Sequence, residues 1–193
     1  FPLLLGLLER EKGKRILMFS NMKDEAERLA ERLARQGYHA RAITGDVDQR
    51  QRLKVMQAFK EGGLHILVAT DVASRGLHIE GVTHVVNYDL PQDAEDYVHR
   101  IGRTARMGAS GKAISLADEA CVLGLPAIEE LIGHKIPVEW PGDDLFVKPA
   151  PRSAAEAGAP RRRPGEPTSS SIRRPQHRTS SGPGARPVHP RPA

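Results

Sequence analysis

Two short apolar runs, Arg15 to Ser20 and His65 to Thr70, do most to limit how this chain can fold. Each is too brief for a helix and is flanked by polar or turn-forming residues, so each reads as a buried strand. The stretch between them has a different rhythm. Ala26, Leu29, Ala30 and Leu33 recur at helical spacing after Asn21, which can cap that helix, and Gly37 ends it. A further strand is expected over His39–Thr44 and a second helix over Gln49–Glu61, carrying Leu53, Met56 and Phe59. An amphipathic helix at residues 3–11 precedes the first run, with Leu4, Leu7 and Leu8 on one side. Downstream the alternation continues with strands at Thr83–Asp89 and Gly111–Ala117 and helices at Asp93–Arg103 and Leu123–Ile132. Strands alternating with helices of about a dozen residues mean right-handed βαβ units and a parallel sheet flanked by helices.

In such a sheet, ligands gather beyond the carboxyl ends of the strands. The segments placed there are Ser20-Asn21, Thr44-Gly45-Asp46, Thr70-Asp71 and Asp89-Leu90-Pro91. Most are small and polar enough to approach a phosphate backbone. Gly45 and Asp46 turn into a helix beginning at Gln49, with Arg52 one turn in, and exposed N–H groups at a helix start make an anion site. A capped surface helix would look the same. Thr70 closes a strand where its hydroxyl can meet a phosphate, and Gly76 permits close backbone approach or a left-handed turn. Arg75 can brace that loop through a carboxylate.

The stretch from Tyr97 to Gly108 carries three arginines and a histidine. On a continuous helix His99, Arg103 and Arg106 would share one face, and Asp96 would sit one turn from Arg100 and hold it. Arg103 and Arg106 have no carboxylate three or four residues away, and a planar five-donor fork suits phosphate oxygens. A solvated basic face remains the plainer alternative.

Charge divides the chain in two. Of 29 Lys and Arg, ten lie from Lys148 onward, against two of the 24 Asp and Glu. Residues 1–147 therefore hold 19 basic and 22 acidic residues, so the formal charge of +5 belongs to the end of the chain. Residues 148–193 are rich in Pro, Arg, Ser and Gly with almost no large apolar side chain, and are expected to be disordered. Residues 1–147 form the globular domain. One cysteine, Cys121, suits a reducing cytosol, no run is long enough for a membrane span, and a start at Phe1 suggests a fragment.

His99-Arg100-Ile101-Gly102-Arg103-Thr104-Ala105-Arg106 resembles motif VI of the DEAD-box RNA helicases, with Ala105 where that family has its second glycine. Residues 69–79 resemble motif V, with His78 in place of an aspartate that helps hold the ATP ribose. His78 can still hydrogen-bond a hydroxyl, or simply pack. Residues 45–52 resemble the GDxxQxxR element, and Ile16 to Phe19 motif IV. These matches run in the family order from about Leu3 to Trp140. The resemblance implies the C-terminal RecA-like lobe, of P-loop-NTPase type, of an ATP-dependent, cytoplasmic RNA helicase. It further implies that Arg103 and Arg106 act on the γ-phosphate, with His99 and Arg100 coupling to carboxylates of a second, N-terminal lobe. Gly45, Asp46, Gln49, Arg52, Thr70 and Gly76 would contact RNA phosphates. ATP and Mg²⁺ are the implied cofactors, with the metal ligands in the N-terminal lobe and none in this one. Residues 77–79 and 125–134 look most like a subgroup whose partner is a degradosome ribonuclease. The alternative is a non-catalytic RNA- or protein-binding module built on the same lobe.

Two decoys are set aside. Asp24-Glu25-Ala26-Glu27 belongs to the first turn of a surface helix, and Gly108 to Ala113 lacks the spacing and hydroxyl of a Walker A loop. His39, His65 and His84 sit at strand edges without metal-ligand spacing.

Overall fold

The structure is a computed structural model that describes residues 1–77, 79–105, 110–119 and 121–151. The expected tail, His78 and Arg106 therefore lie outside the described residues, the tail apart from its first few positions.

Five strands form one parallel sheet: β1 (Ile16–Phe19), β2 (Ala40–Ile43), β3 (Ile66–Ala69), β4 (His84–Asn87) and β5 (Lys112–Ser115). Their order across the sheet is β2-β3-β1-β4-β5, so β1 lies at the centre with Phe19 level with Ala69 on one side and Asn87 on the other. The chain leaves β1 toward one edge and later returns past it to build the other. The loops after β1, β3 and β4 consequently meet at the point where the winding reverses.

The helices are α1 (Pro2–Glu11), α2 (Lys23–Arg35), α3 (Gln49–Glu61), α4 (Asp71–Ser74), α5 (Ala94–Ile101) and α6 (Leu125–Ile132). Alternation along β1 divides the core. Ile16 and Met18 pack with Leu4, Leu5 and Leu8 of α1 and Ala26, Leu29, Ala30 and Leu33 of α2. Leu17 and Phe19 face the other way, toward Phe59 of α3 and toward Leu67, Leu77 and Val85. A smaller cluster of Leu90, Tyr97 and Ile128 joins α5 to α6.

Several expectations need correction. Asn21 does not cap α2; Met22 occupies that position without a side-chain cap, because the Asn21 amide is engaged elsewhere. Leu53 is 62% exposed, since only the later part of α3 reaches the core through Val55, Met56, Ala58 and Phe59. Ordered contact also runs past residue 147: Ala150 N–H donates to Gln36 Oε1 at 2.8 Å. Before that, a 3-10 turn at Asp143–Leu145 lies against α1, where a Cβ on Gly6 would stand 2.0 Å from the Leu145 carbonyl oxygen. Only glycine allows that approach.

Candidate functional site

The carboxyl ends of β1, β3 and β4 converge on one side chain. Arg100 is 1% exposed and stacks its guanidinium 5.2 Å from the Phe19 ring centre. Its Nε and Nη2 donate to both carboxylate oxygens of Asp71 (2.7 and 2.6 Å), Nη2 also to Asn21 Oδ1 (2.7 Å), and Nη1 to the Asp89 carbonyl (2.7 Å). The partner expected from sequence, Asp96, is not used: a bidentate carboxylate across the sheet fits the planar fork better than one along the helix. The frame extends further. Asp89 Oδ2 accepts from Ser20 Oγ (2.8 Å) and Asn21 N–H (3.1 Å), while Asn21 Nδ2 donates to the Leu90 carbonyl (2.9 Å).

Three more arginines meet the segment 71–77. Arg52 Nη2, from the first turn of α3, donates to the Ala73 carbonyl (3.1 Å). Arg103 Nη1 donates to the Leu77 carbonyl (3.2 Å). Arg75 itself reaches Asp96 Oδ1 (3.2 Å), and His99 Nδ1 lies 3.8 Å from that same oxygen. The bracing expected of Arg75 is present. Thr70 caps α4 by accepting from Ala73 N–H (3.4 Å), and Ser74 Oγ donates to the Asp71 carbonyl (2.9 Å), so this stretch is a short helical turn rather than an open loop. Gly76 follows with φ +76°, in the left-handed region.

The continuous helical face anticipated for His99 and Arg103 is not formed, and Arg106, anticipated on the same face, lies outside the described residues. α5 ends at Ile101, because Thr104 leaves the helix to bridge Val82 and donates its hydroxyl to the Val82 carbonyl at 2.7 Å. Arg103 therefore projects from a turn. Ala105 follows with φ +55°, the conformation that favours glycine.

Near the start of α3, Asp48 supplies the cap by accepting from Gln51 N–H (2.9 Å). Gly45, Asp46 and Gln49 are exposed, and open space lies where a side chain on Gly45 would project. Asp46 pairs with Lys23 at 2.7 Å, and the carboxylate raises the lysine pKa from its ordinary value. Through Arg52 and Ala73 this segment joins the turn beginning at Thr70. The structure thus brings Gly45, Asp46, Gln49, Arg52, Thr70, Gly76, His99, Arg100 and Arg103 to one end of the sheet. Sequence reasoning missed Asn21 and Asp89 as site residues. Their signal was position, each lying just beyond a buried strand with a neighbour across the winding reversal.

Residues 1–108 match the helicase conserved C-terminal domain family. A protein from Pseudomonas putida named ATP-dependent RNA helicase RhlB is 50% identical over 152 residues, spanning 79% of this chain and 38% of the relative. Its namesake from Klebsiella pneumoniae is 52% identical over 169 residues, spanning 86% and 40%. In Xanthomonas oryzae the corresponding values are 55% over 152 residues, 79% and 26%. The chain thus spans 26 to 40% of the length of these relatives. Among solved structures, the E. coli DEAD-box protein SrmB bound to the regulator of ribonuclease activity A superposes with TM-score 0.70 at 35% identity, covering 79% of this chain and 89% of that one. A DEAD-box protein of Methanococcus jannaschii gives TM-score 0.61 at 40% identity, covering 69% and 37%. Sequence, sheet order and the motif positions at the strand ends agree: the chain belongs to the DEAD-box helicase C-terminal domains, and within them to the RhlB-like group.

Proposed function

We propose that this lobe is one half of an ATP-driven motor that locally unwinds RNA duplexes, working in RNA degradation beside a degradosome ribonuclease in the cytoplasm. The observation that supports this most is the set of arginine contacts around residues 71–77. Arg52 ties the RNA-side segment to this turn, and Arg100 and Arg103 tie the nucleotide-side segment to it. A shift on one side would then be felt on the other.

In this reading an N-terminal RecA-like lobe in the same protein supplies the Walker lysine and the carboxylates for Mg²⁺. This chain supplies Arg103 and Arg106, which stabilise charge on the γ-phosphate as it moves toward the leaving oxygen. Asp96 sets the ring of His99 and the fork of Arg75, while Arg100 fixes the frame from beneath. In sequence, His78 takes the position of the family aspartate that helps hold the ATP ribose. Gly45, Asp46, Gln49, Arg52, Thr70 and Gly76 line the path of one RNA strand, meeting its phosphates and not its bases, so recognition is independent of sequence.

The test uses the full-length protein. Arg103→Ala should lower RNA-stimulated kcat for ATP by roughly 10³-fold, on the scale of arginine fingers, with a small change in RNA affinity. Arg103→Lys should restore little, because an ammonium keeps the charge without the planar fork. A folded Arg103→Ala protein with wild-type turnover would remove the proposal. The isolated chain, lacking a Walker A sequence, should not turn over ATP with or without RNA.

A further inference from the structure

The edge of the sheet formed by β2 plays no part in the site described above, yet it is built like a receptor. α2 covers one face of the sheet and α3 the other, and between them the outer side of β2 forms the floor of a groove of about 520 Å³. Its walls include Tyr38 on the α2 side and Gln51, Lys54 and Val55 on the α3 side. Two facts give the groove a chemistry.

The first is backbone polarity. In a parallel ladder alternate residues bond to the neighbouring strand. Ile66 N–H donates to the His39 carbonyl, so residues 39, 41 and 43 face β3. Ala40 N–H instead closes on the Tyr38 carbonyl, consistent with residues 40 and 42 turning their peptide groups outward. Those of Ala42 face away from β3 at the sheet edge, next to the groove residue Arg41, ready for another extended chain. The second fact is charge. Ala40 and Ala42 belong to the α2-side cluster and Ile43 to the α3-side cluster, which places Arg41 on the α3 side with Lys54. Both are exposed, and among the described residues neither has a carboxylate within 4.0 Å. This stands out on a body whose residues 1–147 carry more acidic than basic groups.

We infer that the β2 edge receives an extended peptide of alternating acidic and small apolar residues, supplied by another protein. Such a peptide adds a sixth strand. Its main chain pairs with Ala42, its carboxylates meet Arg41 and Lys54, and its alternate side chains pack on the Tyr38 and Ala42 side. The residues beyond Lys148 do not match this requirement, being strongly basic. Arg41 alone would serve only to keep two such edges apart, but a second unpaired cation one helix away makes the groove selective for negative charge.

The probe is a fluorescein-labelled octapeptide of alternating glutamate and valine, titrated into the full-length protein. Saturable binding is expected, with slower hydrogen exchange at the Ala42 amide on saturation. Arg41→Glu combined with Lys54→Glu should weaken binding about tenfold or more, and an octapeptide of alternating lysine and valine should not bind wild type. Both substitutions are at exposed positions and should leave RNA-stimulated ATP hydrolysis unchanged. Equal affinity in the double variant, or unchanged Ala42 exchange at saturating peptide, would overturn the inference. So would weaker peptide binding in the double variant matched by an equal fall in single-stranded RNA affinity, which would assign the patch to nucleic acid.

Discussion

Arg100 shows how much of a fold can turn on one side chain. Its charge is taken out of water, and Asp71 compensates it with two short hydrogen bonds. Deleting one member of such a pair leaves the other buried and uncompensated, at a cost of about 3–5 kcal/mol. Asp71→Ala should therefore lower the urea midpoint strongly, whereas Asp96→Ala, which removes a partner of the exposed Arg75, should change stability by less than about 1 kcal/mol. Equal effects would mean that Arg100 is not the keystone. Ala105 makes the opposite case. Its φ of +55° places an L side chain in the left-handed region, which costs roughly 1–2 kcal/mol. Ala105→Gly, restoring the family residue, should raise stability, less the added flexibility of glycine in the unfolded chain. Gly111 beside it cannot take the reverse change, since a Cβ there would stand 2.0 Å from Thr104 Oγ1.

At the scale of elements, the order of strands and helices was legible because each has a strong period of its own. α3 begins and ends at the residues its pattern indicates, Gln49 and Glu61. The boundary of α5 was not legible, because Thr104 is drawn off the helix by Val82, a partner 22 positions earlier. Similarly, nothing local distinguishes Asn21 as a cap from Asn21 as a bridge; the answer lies 79 positions away at Arg100. Local pattern writes the elements, and tertiary hydrogen bonds decide how they end. The join of α1 to β5 offers a test. Glu11 accepts from Lys112 (2.7 Å) and from Arg10 (3.1 Å), and the Lys112 hydrogen bond is the main cause that holds its pKa below the ordinary carboxylate value. A carboxyl lowered on folding contributes stability above its unfolded pKa and loses it as pH falls through the folded one. Stability of Glu11→Gln should thus approach that of wild type in acid and fall below it near neutrality. A difference independent of pH would detach the contact from Glu11 ionisation.

For the whole molecule, the split of charge suggests a division of labour: we propose that the lobe aligns RNA through a few phosphate contacts and that the basic residues from Lys148 onward supply non-specific affinity. Removing residues 152–193 should then reduce the slope of log affinity against log salt, by about 0.7 for each single-strand phosphate that those residues neutralise. Equal slopes would make that segment a linker.

The packing of Phe1 and Ala150 has its own outcome. Arg32 lies 3.9 Å over the Phe1 ring, and Gln36 pairs with the backbone of Ala150. These two anchors are four residues apart on α2, one helical turn or about 6 Å along its axis. Whatever precedes Phe1 and follows Pro151 therefore attaches beside a single turn of helix. A lobe whose entry and exit are anchored to the same turn of helix is a candidate for circular permutation. Joining residue 151 to Phe1 by a short Gly/Ser linker and opening the chain between Gly62 and Gly63 should give a protein that still melts in one cooperative transition, and a broad, non-cooperative melt would show that the order of the chain matters more than its proximity.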